Sequence, residues 1–153
     1  MLSPLTVVET EACPAAVIRL SIPRERIREV MSPAIREVIE AAVAQGIGPA
    51  GPVFSRHFCI DPERFDFEVG VPVTGALSPV GRVVAGELPG SRVVRTVYTG
   101  PYERLGEAWG EFISRLEAAG HRPAAQLWER YLTDPAATPD PADYQTELNR
   151  TLI

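Results

Sequence analysis

"QGIGPAGPVFSRHFCIDP" (residues 45–62) and "AGHRPAAQLWERYLTDP" (residues 119–135) read as one pattern written twice. Gly46, Pro49, Phe54 and Arg56 match Gly120, Pro123, Trp128 and Arg130 at a constant offset of 74, and each stretch closes on an Asp-Pro pair. Self-similarity at a fixed spacing implies a repeated structural unit. The flanks agree with this. "AAVIRLSIP" lies upstream of the first copy and "RVVRTVYTGP" upstream of the second, each a strand ending at a proline and a helix. Downstream, "FDFEVGVPV" and "YQTELNRTL" read as closing strands, with Glu68 the counterpart of Glu147.

Each half thus spells strand, helix, strand, strand, with an extra leading strand, "LTVVETE" or "GRVVAGEL". Leu105, Trp109, Phe112 and Leu116 recur at helical spacing after a Gly100-Pro101 start, and Gly120 is a C-terminal stop. In the first half Ile27, Val30, Ala34, Val38 and Ala42 form the stripe of a helix at about residues 24–45. Ser32-Pro33 inside it predicts a kink or two abutting pieces. "LSPVG" (residues 77–81) is turn chemistry joining the halves. The predicted fold class is α+β: two pseudo-symmetric strand-helix-strand-strand modules, about 5–75 and 82–152, in a single domain 1–153. Their mainly antiparallel sheets are each backed by one helix, with a central ligand groove between the halves.

Composition narrows the chemistry. All fifteen basic residues are arginine, which excludes lysine Schiff bases and phosphate-binding P-loops. A net charge of -5 without a basic face argues against nucleic acid as a direct ligand. No apolar run reaches the ~20 residues of a membrane span, and the start lacks a signal peptide, so the expected location is cytoplasmic. Cys13 and Cys59, without CxxC spacing, are expected to be reduced and buried. No metal site or cofactor is expected.

Alternation in "AQLWERYL" puts Leu127, Glu129 and Tyr131 on one face of a strand and Trp128, Arg130 and Leu132 on the other. By the offset, Ser55 is the counterpart of Glu129 and His57 that of Tyr131. A carboxylate in a strand is ordinarily paired, here with Arg95 or Arg130, or solvated at a rim. Desolvated in a groove, it would instead await a cationic ligand or act as a general acid or base. If Phe54 and Trp128 plug the helix-packed core, Glu129 faces the groove.

"YTGPYERLGEAWGEFISRLEAAGHRP" followed by "WERYLTDPAATPDPADYQTEL" resembles the GyrI-like small-molecule-binding family, the effector-binding domain appended to many AraC-type and MerR-type regulators. "GPVFSRHFCIDPERFDFEVGVPV" is similar to that family's N-terminal repeat, so the resemblance runs from about Leu5 to Leu152. It implies two pseudo-symmetric modules around a ligand groove, with Glu129 as the acidic determinant that receives lipophilic cations amid aromatic side chains. A regulator would carry a helix-turn-helix segment before this domain. The chain starts at the first strand, which suggests a stand-alone member serving as a sensor, sequestration or resistance protein.

The resemblance leaves an alternative, a hydrolase that opens cyclopropane-bearing toxins. Glu129 would activate water and Tyr98 or Tyr131 would donate a hydrogen bond to the substrate. Ligand-binding candidates are Glu129, Tyr131, Tyr98, Trp128, His57, Trp109 and Glu147, and the catalytic candidates are Glu129 and Tyr98. Tyr102 is assigned to the helix core, and Trp128 to core or pocket wall. A third reading, a protein-partner inhibitor, would dock through acidic surface such as "DPAATPDPAD". The loops at residues 89–91 and 136–142 are expected to shape the pocket.

Overall fold

A computed structural model describes residues 1–59 and 61–153. The strands are β1 (Thr6–Glu9), β2 (Cys13–Pro23), β3 (Phe54–His57), β4 (Arg64–Pro72), β5 (Val84–Leu88), β6 (Arg92–Thr99), β7 (Pro123–Tyr131) and β8 (Gln145–Leu152); the helices are α1 (Ile27–Ala44) and α2 (Leu105–Ala118). All strands join one antiparallel sheet, ordered β1-β6-β8-β7-β3-β4-β2-β5. The α+β class and the antiparallel pairing are as expected. The halves share a single sheet, however, where one sheet apiece was expected. The reason lies in the β3–β7 pair, which hydrogen-bonds the two stretches quoted at the outset to each other.

Leading strands do not stay with their own half. β1 pairs with β6, and β5 pairs with β2. Residues 10–12 link β1 to β2 and residues 89–91 link β5 to β6, and each link joins strands six places apart in the sheet. Such a link reaches ~14 Å, whereas six strand spacings in a flat sheet cover ~29 Å. The sheet must therefore curl until the two links meet. They do: the Thr10 N–H donates to the Ser91 carbonyl at 2.8 Å, and the Thr10 hydroxyl donates to Pro89 and Ser91 carbonyls.

Curling makes the two faces unequal. The inner face holds Ala15, Val17, Phe54, Leu88, Val93 and Trp128 as one apolar cluster. Burying each large side chain there contributes ~1.5–3 kcal/mol. Both helices lie on the outer face. Ala34, Val38, Ala41 and Ala42 of α1 pack on Ala16, Ile18, Phe67, Val69 and Val71. Ala108, Phe112 and Leu116 of α2 pack on Val94, Tyr98 and Leu148.

Helix ends follow the sequence closely. Gly46 and Gly120 take φ of 68° and 87°, the left-handed conformation that glycine adopts without steric cost. Gly120 and His121 N–H groups cap the Glu117 and Leu116 carbonyls, and Gly46 and Ile47 cap Val43 and Ala42 in the same way. Pro33 does not divide α1, which runs unbroken through it. It removes one backbone hydrogen bond, while the apolar stripe on both sides of it packs against the same sheet face and holds the helix together. Cys59 is exposed and Cys13 half-buried, both unpaired, so neither is the buried thiol expected. Among the described residues no helix is long and apolar enough to cross a membrane.

Candidate functional site

Strand pairing decides where Glu129 points. Glu129 stands opposite Ser55 on one side and Leu148 on the other, and Ser55 stands opposite Val69. Because Val69 and Leu148 belong to the helix-packed clusters, Glu129 and Ser55 share the helix side of the sheet. The expectation that Phe54 and Trp128 occupy the helix-packed layer is thus reversed. They fill the inner face, because curling creates a second core there, and Trp128 at 1% exposure does not wall the Glu129 site.

Glu129 is 8% exposed. The indole Nε1–H of Trp109, from α2, donates to its Oε2 at 2.6 Å, and the Tyr131 hydroxyl lies 2.8 Å from Oε1. The Ser55 hydroxyl is 2.8 Å from the same Tyr131 oxygen. Tyr102, in the 3-10 turn before α2, stands edge-on to Tyr131 with centroids 6.1 Å apart and lies 4.9 Å from Tyr144. Phe112 approaches Trp109 at 5.5 Å. The carboxylate therefore sits in a shell of aromatic rings.

No ion pair completes it. Among the described residues, no arginine or histidine nitrogen lies within 4.0 Å of the Glu129 carboxylate. Arg95 and Arg130, the partners expected from sequence, both pair with Glu147 on the opposite face, at 3.2 and 3.1 Å. Glu147 is thus a structural ion-pair centre of the inner face, also bonded by the Asn149 side chain at 3.0 Å, and is remote from Glu129. Its counterpart Glu68 lies 3.9 Å from Arg56. Burial raises the Glu129 pKa, and the hydrogen bonds from Trp109, Tyr131 and Ser55 only partly oppose that rise. Burial likewise holds the Tyr131 hydroxyl protonated, with the Glu129 charge adding to the effect.

The other candidates lie apart. The Tyr98 hydroxyl donates to the Pro101 carbonyl at 2.8 Å, and Thr146 stands between Tyr98 and Tyr131 across the sheet, so Tyr98 serves the start of α2. A cleft of about 390 Å³ beside it is lined by Leu2, Tyr98, Arg104 and Glu107 and does not include Glu129. His57 shares the helix side but stacks on Phe67 at 5.0 Å, edge-on to Phe65. Burial, with the Arg24 charge, lowers its pKa to about 4. The residue 89–91 loop borders a second cleft of about 450 Å³ that also excludes Glu129. Among the described residues no group of three or more His, Cys, Asp or Glu is placed to hold a metal.

Tyr144 was not singled out from sequence, and Tyr102 was assigned to the helix core. A parity signal for Tyr144 existed: it precedes Thr146 and Leu148 in steps of two, the strand period.

A curled antiparallel sheet with both helices on one side thus carries a buried acid, without an ion-pair partner among the described residues, amid aromatic rings. The chain belongs to the GyrI-like small molecule binding domain family, whose model matches residues 3–148. No curated protein matches it. The EcmrR C-terminal domain is similar in structure, with a TM-score of 0.83 and 19% identity over 98% of this chain and 97% of that one. In the EcmrR–DNA complex the chain spans 57% of the EcmrR length, with 97% of this chain covered, a TM-score of 0.79 and 17% identity. SAV2435 bound to tetraphenylphosphonium gives 0.65 and 8% over 99% and 94% of the two chains, and a hydrolase from Listeria innocua gives 0.62 and 12% over 97% and 91%.

Proposed function

We propose that the protein binds lipophilic small molecules, cationic ones included, with Glu129 as the charged anchor and Trp109, Tyr131, Tyr102 and Tyr144 as the aromatic lining. One observation carries this reading: a buried carboxylate whose hydrogen-bond donors are all neutral. Such a group lacks a counter-charge, and a ligand cation at ~4 Å in an effective dielectric of about 20 supplies ~4 kcal/mol of attraction. Aromatic faces add cation–π attraction. The tetraphenylphosphonium named with SAV2435 belongs to this ligand class.

The same reading takes residues 1–153 as one domain of two duplicated modules, about 5–75 and 82–152, meeting at a groove. The β3–β7 register supports it, because Ser55 and Glu129, equated by the offset of 74, stand opposite each other. Only one of the two equivalent positions carries the acid.

The test is titration with tetraphenylphosphonium, read by the fluorescence of Trp109, whose indole touches Glu129. Saturable quenching is expected, weakened at least tenfold in Glu129→Gln with an unchanged far-UV spectrum. Equal affinity in both proteins would refute the proposal. The raised proton affinity of Glu129 favours a second reading, water activation for opening of a strained cyclopropane ring, with Tyr131 as the nearby hydroxyl donor in place of Tyr98. A hydrated product seen by mass spectrometry with the native protein, and absent with Glu129→Gln, would favour that reading.

A further inference from the structure

Among the described residues, buried hydroxyls are bonded, with one exception. On the helix side, the Thr96 hydroxyl donates to the Ser3 carbonyl at 2.7 Å, and Ser55 meets Tyr131 at 2.8 Å. On the inner face, the Thr151 hydroxyl donates to the Gln126 carbonyl at 2.6 Å. Thr146, at 0% exposure, carries the one buried side-chain oxygen or nitrogen without a hydrogen-bond partner among the described residues. A buried hydroxyl left unbonded destabilises the fold, and a valine of the same shape would avoid that cost. Its position gives the hydroxyl a use. Thr146 is the cross-strand neighbour of Tyr131, on the face that carries Glu129, and follows Tyr144 by one strand period. Tyr102 contacts two of the rings around it, its cross-strand neighbour Tyr131 and Tyr144 two residues before it.

We propose that the Thr146 hydroxyl is a second polar determinant of the ligand site, donating a hydrogen bond to an acceptor oxygen on the bound molecule. This rests on the reading of Glu129 as the ligand's anchor. Glu129 and Thr146 are diagonal neighbours across β7 and β8, so their Cβ atoms lie about 7 Å apart. The preferred ligand is therefore a lipophilic cation that also carries a carbonyl or ether oxygen about 5 to 7 Å from its charge. Charge alone satisfies Glu129; the oxygen satisfies Thr146. Entry requires the Tyr102 ring to move from its place against Tyr131 and Tyr144.

The test uses two probes that differ by one carbonyl, (3-benzoylpropyl)triphenylphosphonium and (4-phenylbutyl)triphenylphosphonium. The native protein is expected to prefer the ketone about tenfold, the size of one hydrogen bond to an otherwise unsatisfied buried group. Thr146→Val should abolish the preference and melt no lower than the native protein. Thr146→Ser, which keeps the hydroxyl, should retain the preference. Equal affinity of the native protein for both probes, or an undiminished preference in Thr146→Val, would overturn the proposal while leaving the Glu129 anchor intact. Failure of both probes to bind the native protein would overturn both.

Discussion

Acid titration of His57 tests the account of the helix-side packing quantitatively. The imidazole stacks on Phe67 with an 8° interplanar angle, and its folded pKa falls from 6.5 to about 4 because burial disfavours the charged form and Arg24 repels it. The unfolded chain takes up a proton below pH ~6.5, but the folded protein does so only near 4. Stability tied to neutral His57 is therefore fully present above the unfolded value and lost as pH falls through the window from 6.5 toward 4. A gap of about 2.5 units corresponds to ~3.4 kcal/mol when complete, of which ~2.5 kcal/mol should be lost between pH 7 and pH 4.5. Many carboxylates titrate over the same range, so the measurement is a difference. Urea unfolding at pH 7 and 4.5 is compared between the native protein and His57→Phe, which keeps a ring against Phe67 but cannot ionise. The native protein should lose ~2.5 kcal/mol more than the variant. A direct NMR titration should place the imidazole pKa well below 6. An imidazole titrating near 6.5, or the same pH dependence in both proteins, would refute the half-buried, desolvated placement of His57.

Two further outcomes follow from the packing. Because the folded pKa of Glu129 is raised, its charge is a burden above that value, relieved as pH falls through it. Glu129→Gln should thus be at least as stable as the native protein at pH 8 by thermal melting, with the advantage shrinking toward pH 4; a loss confined to pH 8 would contradict this. A Cβ added at Gly70 would lie 2.6 Å from Phe54 Cζ, 2.9 Å from Val17 Cγ1 and 3.0 Å from the Ala16 carbonyl oxygen. Gly70→Ala should cost ~1–3 kcal/mol in urea unfolding through overpacking of the inner core, and a neutral result would show that the core has slack.

Much of the local structure was legible because it is written in short-range chemistry. Alternation marked the strands, and Gly120 marked the end of the second helix, since a left-handed residue after a helix strongly favours glycine. Alternation also grouped Glu129 with Tyr131 and separated both from Trp128 and Arg130, and it did so correctly. The division of α1 at Pro33 did not occur, because the local penalty was weighed without the packing that opposes it. Trp109 was named for the site, yet its hydrogen bond to Glu129 joins residues on a helix and a strand that no spacing rule connects.

Parity along a strand and helix caps depend on neighbours a few residues away, so the sequence alone determined them. Tertiary structure decided which face of the sheet receives the helices, because that follows from curvature, and curvature follows from two short links joining strands six places apart. Curling turned Phe54 and Trp128 inward, drew Arg95 and Arg130 to Glu147 on the inner face, and left Glu129 on the helix side with only neutral donors. The charge of Glu129 was legible in the chain; its lack of a counter-charge is a property of the fold.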